Sequence, residues 1–419
     1  MNNGFIVFCF PHKQIGGVSN QFLRVATKMK SMGHQVAIID YADGVMGREC
    51  NLLGLKLIEY KEDDFARIPE NSVLIMQSMT PWTIWRGIDV SEKPKILFWS
   101  CHPDNFIPHV PLIHRYIKRP KLGKYFFKLL FPLIFNRMKS YIQKLNEELS
   151  LIHIDLPCKS SIEDFYDLKL NDNNIVPVPV PNLERMESDL IQSTNITSTN
   201  KDVSANKKIS FGWIGRISDS KYQILLHTIR RVAKESDSMS LNIDFHVIGD
   251  GPLLEKLKKE LNKVLNINII FHGELNQKEV TRMLMNQIQL VFSMGTSALE
   301  AAAKKVPTVL LNFTYDKTVV FHKFDWLFNQ KGFSVGKKIK NKPNSDSDNM
   351  NKILKDFLEN ELELGIKCLE YVSKNHSLDF IAHTLRNHID QACLTLNELR
   401  SLKIYNPPLL YKIYKKFNS

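Results

Sequence analysis

The sequence predicts an α/β protein built as two doubly wound domains that face a cleft. Three observations predict it. Short apolar runs alternate with helical segments, as in parallel sheets covered on both faces. The alternation lapses in a polar stretch and then restarts. The 419 residues, 43% apolar and 24% charged, suffice for two cores of ordinary size.

The first domain is expected at 1–187. FIVFCF (5–10) is a buried strand, QIGGVSN (14–20) a glycine turn, and a helix follows from about Gln21 to Met32, closed by Gly33. HQVAIIDY (34–41), SVLIMQ (72–77) and KILFWS (95–100) supply further strands. The alternating prolines of NIVPVPVPN (174–182) exclude a central strand, so this segment is an extended edge. Residues 188–208 lack periodicity and aromatic side chains, which predicts a flexible linker.

A second domain is expected at 209–390. Its strands are KISFGWIGR (208–216), NIDFHVIGDG (242–251), NIIFHG (268–273), IQLVFSM (288–294) and VPTVLLNF (306–313). Helices from about Tyr222 to Lys234, from about Leu253 to Val264 and at QKEVTRMLMN (277–286) separate them. Residues 391–419 are expected to form a helical tail that returns to the first domain.

Polar residues that follow strands fall where such folds bind ligands. Gly16 and Gly17 precede a helix, a turn at which backbone approaches a phosphate, although most such glycine pairs are only tight turns. Arg216 ends a strand and Lys221 opens the next helix, so the two form a diphosphate clamp or an ordinary solvated surface pair. Gly295, Thr296 and Ser297 offer amides and hydroxyls to phosphate oxygens. Glu300, one turn further, is placed to accept hydrogen bonds from a ribose diol or to stabilise its own helix.

Charge and cysteine content narrow the class. Lys and Arg number 56 against 44 Asp and Glu, a net +12 that favours an acidic partner. No zinc-finger spacing or RNA-recognition signature appears, so nucleic acid is not expected. Six scattered cysteines without a C-x-x-C pair suit a reducing compartment. No signal peptide is read at the start and no apolar run reaches the ~20 residues of a bilayer span. Residues 115–144 interleave Lys118, Arg119, Lys121, Lys124 and Lys128 with aromatic and aliphatic residues, and Pro132 interrupts them. That pattern fits an amphipathic stretch on an anionic membrane or a helix with a solvated basic face.

These segments resemble, in order and spacing, GT-B glycosyltransferases, most closely family 4. GWIGRISDSKYQILLHTIRRV (212–232) resembles the family's strand, Gly-Arg loop, Lys and helix, and FHVIGDGPLLEKLKKEL (245–261) its second unit with a Gly-x-Gly-Pro turn. IIFHGELNQKEVTRML (269–284) and SALEAAAKKVPTVLLN (297–312) resemble the third and fourth. The first half matches more loosely, through IGGVSNQFLRVATKMKSMGHQVAII (15–39) and VPVPN (178–182). The resemblance implies a nucleotide-sugar donor, with its diphosphate on Arg216 and Lys221, its ribose on Glu300 and the glycine loop at Gly16 and Gly17. It also implies a first-domain His beside the donor sugar: His102, with His109 and His114 as neighbouring competitors. Where the family carries a second Glu eight residues before Glu300, this chain has Phe292, which either lines the donor-sugar pocket or points into the sheet's core.

The resemblance implies a retaining transfer that needs no metal or cofactor, and no D-x-D-type motif stands out. The expected acceptor is a cell-envelope glycan or lipid carrier, of lipopolysaccharide or capsule type. The expected place is the cytoplasm, at the inner membrane face. A sugar-nucleotide epimerase on the same fold and a non-catalytic subunit are the alternatives.

Overall fold

The β-branched and aromatic runs of the sequence form the strands of two six-stranded sheets. The computed structural model describes residues 4–14, 16–77, 79–84, 87–89, 93–107, 122–180, 208–315, 322–339, 349–402 and 406. Two compact units emerge, one of Met1–Pro179 with Leu378–Ser419 and one of Val180–Ser377. Apart from Lys208, the expected linker lies outside the described residues.

In the first unit the strands are β1 (Ile6–Cys9), β2 (Val36–Asp40), β3 (Lys56–Glu59), β4 (Val73–Gln77), β5 (Lys95–Ser100) and β6 (Leu151–His153), ordered β3-β2-β1-β4-β5-β6. All pairs are parallel, with Ile6 of β1 opposite both Val36 and Val73. Every residue of β1 and β2 is buried, which explains their unbroken apolar character. The helices are α1 (Gly17–Ser31), α2 (Val45–Leu53), α3 (Leu122–Leu130), α4 (Pro132–Glu147) and α5 (Leu156–Tyr166). Pro132 occupies the first position of α4, where its missing N–H costs nothing, and so divides α3 from α4.

The second unit repeats the plan. Its strands are β7 (Ile209–Ile214), β8 (Ile243–Ile248), β9 (Asn268–Gly273), β10 (Leu290–Ser293), β11 (Thr308–Leu310) and β12 (Asp325–Trp326), in the order β12-β11-β10-β7-β8-β9. Only β12 runs antiparallel to its neighbour. The helices are α6 (Asp219–Ser238), α7 (Leu254–Leu261), α8 (Gln277–Asn286), α9 (Thr296–Ala302) and α10 (Met350–His376). In each unit the strand order reverses once, at β1/β4 and at β7/β10. Loops diverge there and leave a crevice at the carboxyl ends of the strands.

Two further helices, α11 (Leu378–Gln391) and α12 (Leu396–Ser401), group with the first unit. Lys28 of α1 pairs with Asp379 of α11 at 2.5 Å. Thr395 bridges Lys95 antiparallel, and the Ile96 N–H donates to the Leu394 carbonyl at 2.9 Å. The second unit therefore ends at Ser377, and α11, placed with it from the sequence, packs on α1 instead.

Phe292 is a core residue, which corrects its assignment to a donor-sugar pocket. Its side chain is fully buried, with ring centroids 5.9 Å from Phe211, 6.2 Å from Phe245 and 6.4 Å from Phe324. β10 runs to Ser293 and α9 starts at Thr296, so only Met294 and Gly295 join them. Counting eight residues back from Glu300 therefore lands inside the strand. Phe292→Ala should destabilise the second unit by about 3–5 kcal/mol, read by denaturant titration. Phe292→Glu should abolish its cooperative unfolding altogether.

Both units also bury histidines. Burial holds His153 and His322 down to about 3. Both ring nitrogens of His153, and Nε2 of His322, lack a partner among the described residues. Below the ordinary His value of about 6.5 the unfolded chain takes up protons that these neutral native rings refuse. Each should thus remove about 1.4 kcal/mol of stability per pH unit from about 6.5 down to about 3. Denaturant titrations at stepped pH check this, and His153→Asn should flatten the slope in the first unit.

Candidate functional site

At the reversal point of the second sheet, β7 runs out into Gly215 and Arg216, and two later glycines clamp that turn. A Cβ on Gly249 would collide with the Gly215 carbonyl, and one on Gly251 with that of Ile217. Gly249 also has φ +130°, which side chains rarely adopt. The Gly215 N–H donates to the Ile248 carbonyl (3.0 Å) and the Ile217 N–H to that of Asp250 (2.9 Å). Arg216 thus stands between two pinned residues. It is exposed and pairs with no described carboxylate. Lys221, in the first turn of α6, is half-buried rather than solvent-facing. Its Nζ lies 3.4 Å from where a Gly215 Cβ would be, and burial pushes its pKa below the ordinary lysine value. Two cations therefore flank one glycine turn without a described counter-charge.

The neighbouring strand end completes the edge. The Ser293 hydroxyl donates to the Ile214 carbonyl at 2.8 Å, tying β10 to β7. Gly295 has φ +68° and donates its N–H to Val335 (2.7 Å), and half-buried Thr296 and Ser297 follow. Glu300 is half-buried, and its Oε2 accepts from Gln277 Nε2 at 3.3 Å. Gln277 begins α8, whose start is fixed by a capping box between Asn276 and Glu279. Nothing in the sequence singled out Gln277, because its partner is 23 positions away.

In the first unit Gly16 is extended (φ −152°) and caps α1. A Cβ on Gly16 or Gly17 would meet nothing within 4 Å, so neither glycine is required by its own unit. Asp40, absent from the sequence reading, organises this edge. Its fully buried carboxylate accepts the N–H groups of His12 (2.8 Å), Tyr41 (2.8 Å), Met46 (2.8 Å) and Gly47 (3.1 Å). Burial pushes its carboxyl above the ordinary range, against the pull of those four amides. A Cβ on Gly44 would strike that carboxylate.

His102 follows β5 and is exposed. Its N–H donates to Asn105 Oδ1 at 2.7 Å, and its Nδ1 accepts the Asp104 N–H at 3.1 Å, which leaves the neutral ring's proton on Nε2. His109, His114, Lys118, Arg119 and Lys121 lie outside the described residues. Lys124 is not a free surface cation as expected: its amine binds the Asp167 carboxylate and the Asp164 carbonyl (3.0 Å). Lys128 is exposed, its Nζ 5.5 Å from the Phe135 ring centroid.

The clamp is testable. Gly249→Ala imposes both strain and a backbone collision, so it should cost about 1–3 kcal/mol or more in the second unit. Gly17→Ala, which meets nothing, should leave the melting temperature of the first unit unchanged or slightly raised. Thermal scans of both variants check the contrast.

Residues 196–374 match the family model of group 1 glycosyl transferases. No curated protein matches the chain by sequence. Among solved structures, a glycosyltransferase from Rickettsia africae is 12% identical with a TM-score of 0.53, over 93% of this chain and 99% of that one. HepE of Anabaena, solved with UDP-glucose, is 11% identical with a TM-score of 0.55, over 92% and 99%. The lipopolysaccharide outer core galactosyltransferase WaaB is 10% identical with a TM-score of 0.50, over 93% and 99%. At such identities the likeness is one of fold, while the matched family comes from the sequence of the second unit. Residues 196–374 thus carry the match to group 1 glycosyl transferases, and the chain as a whole has the fold of these GT-B glycosyltransferases.

Proposed function

We propose that the protein transfers a sugar from a nucleotide-sugar donor to a cell-envelope glycan or lipid-linked acceptor at the cytoplasmic face of the membrane. The observation that carries the donor reading is the pair Arg216 and Lys221, two cations without a described counter-charge on a backbone pinned by Gly249 and Gly251. A nucleoside diphosphate is the anion that suits them. Arg216 grips its oxygens by a planar fork and Lys221 as a point charge. Thr296 and Ser297 add hydroxyls, and Glu300, steadied by Gln277, accepts from the ribose diol. The UDP-glucose bound by HepE and the lipopolysaccharide galactosyltransferase activity of WaaB are precedents on the same fold for donor and acceptor class.

The chemistry asked of these residues is electrostatic. As the bond to the sugar breaks, negative charge grows on the departing diphosphate, and prepositioned cations stabilise that charge with little reorganisation. In the same reading Gly16 and Gly17 give the donor room, and His102 is the catalytic side chain beside the sugar. Retention is the proposed outcome, by the family resemblance alone. The position that spacing gives to the family's second acid is Phe292, buried inside β10.

Calorimetric titration with a panel of nucleoside diphosphates tests the clamp. Arg216→Ala and Lys221→Ala should each lose about 1.5–3 kcal/mol of affinity, roughly ten- to a hundredfold in Kd. Glu300→Gln should weaken nucleoside diphosphates more than inorganic pyrophosphate. Unchanged affinity in both cation variants would sink the donor assignment.

A further inference from the structure

We propose that α3 and the start of α4 form an insertion surface that seats the first unit on an anionic lipid bilayer. The basis is a helix that is apolar on two sides. Inward, Phe127 is fully buried, with ring centroids 5.6 Å from Phe131 and 5.8 Å from Phe165. Lys124 fastens the same helix to the end of α5 through Asp164 and Asp167. The core side is therefore filled. Outward, Tyr125 is 69% exposed, Phe126 42%, Leu129 78%, Leu130 47% and Leu133 76%. Tyr125 and Leu129, like Phe126 and Leu130, are one helical turn apart and share a face. Water gains nothing from such a cluster, and soluble surfaces rarely carry one without an occupant.

Charge identifies that occupant. Between 105 and 146 the sequence holds nine Lys and Arg and no Asp or Glu. Lys128 is exposed on the apolar helix itself and half-buried Arg137 follows on α4, whereas Lys139 donates its amine to the Asp167 carbonyl at 3.1 Å. Exposed apolar side chains with Lys128 among them, on a stretch whose sequence carries one sign of charge, match an anionic leaflet, whose head groups attract the cations while the acyl boundary takes the rings and leucines. A second copy of this chain fits poorly, because self-contact would set one basic surface against another. The helix lies in the interface rather than crossing it: among the described residues no helix is long and apolar enough to span. This surface belongs to the first unit and shares no residue with the donor clamp, so the two proposals fail separately.

Vesicle flotation of the full chain, without nucleotide sugar, is the test. The protein should float with phosphatidylcholine vesicles containing phosphatidylglycerol, and not with phosphatidylcholine alone. Added salt should weaken binding. The double variant Leu129→Glu, Leu133→Glu should bind at least about tenfold more weakly. Leu52→Glu, at an 83% exposed position elsewhere on the unit, should bind as the natural chain does. As a readout independent of stability, Leu129→Cys carrying an environment-sensitive fluorophore should shift to the blue on anionic vesicles. Equal flotation with both vesicle types, no flotation with either, undiminished binding by the double variant or an unshifted fluorophore would each overturn the proposal. So would a concentration-dependent dimer, lost in the double variant, without vesicle binding.

Discussion

Backbone meets backbone at the edge of the second sheet, where the chain leaving β8 passes against the chain leaving β7 without a Cβ between them. The Gly249 and Gly251 contacts to Gly215 and Ile217 fix how close the two turns come. The strand spacing at that corner, the exit angle of the Arg216 turn and the start of α6 follow from it. The Thr314 N–H donates to the Ser220 carbonyl, so the segment after β11 is referred to the same corner. A side chain at Gly249 would separate two strands that pair in register from Ile209–Ile243 to Ile214–Ile248. A rigid edge of this kind keeps Arg216 and Lys221 on one turn although no described carboxylate pairs with either.

The first unit meets the same need by other means. A single carboxylate gathers four amides from residues 12 to 47, and the loops around it are shaped by hydrogen bonding instead of by bare backbone contact. The cost is a buried acid; the return is that none of those amides is orphaned at the edge. Clamp and cap are alternative solutions to one problem, ordering irregular chain at the open end of a parallel sheet.

What the sequence made legible follows from how each feature is written along the chain. Strands buried on both faces appear as unbroken apolar runs, so β1, β2, β4, β5, β7 and β8 were found, along with the restart of the pattern at 208. Arg216, Lys221 and Glu300 could be picked out because strand end and helix start lie within a few residues. Asp40 could not, since its four partners are set by folding and an acid after a strand looks like any other. Nor could Gln277, or the pairing that removes Lys124 from the surface. Phe292 misled for a different reason. Motif spacing assumes a loop of a given length, and here the turn is two residues long. The boundary at Ser377 was missed because α10 and α11 are both amphipathic, and amphipathic pattern does not say which sheet a helix covers.

The return of Leu378–Ser401 to the first unit sets an order on synthesis. β5 is bridged by Thr395, and Leu394, Leu396 and Leu399 are buried in the first unit's core. Those side chains leave the ribosome after the whole of the second unit. The half that is translated first is therefore the half that closes last. Until then the nascent chain carries an incomplete apolar core, and the piece that closes β5, Leu394 against Ile96, lies 298 residues downstream of it, while the second unit has every strand it needs as soon as α10 emerges.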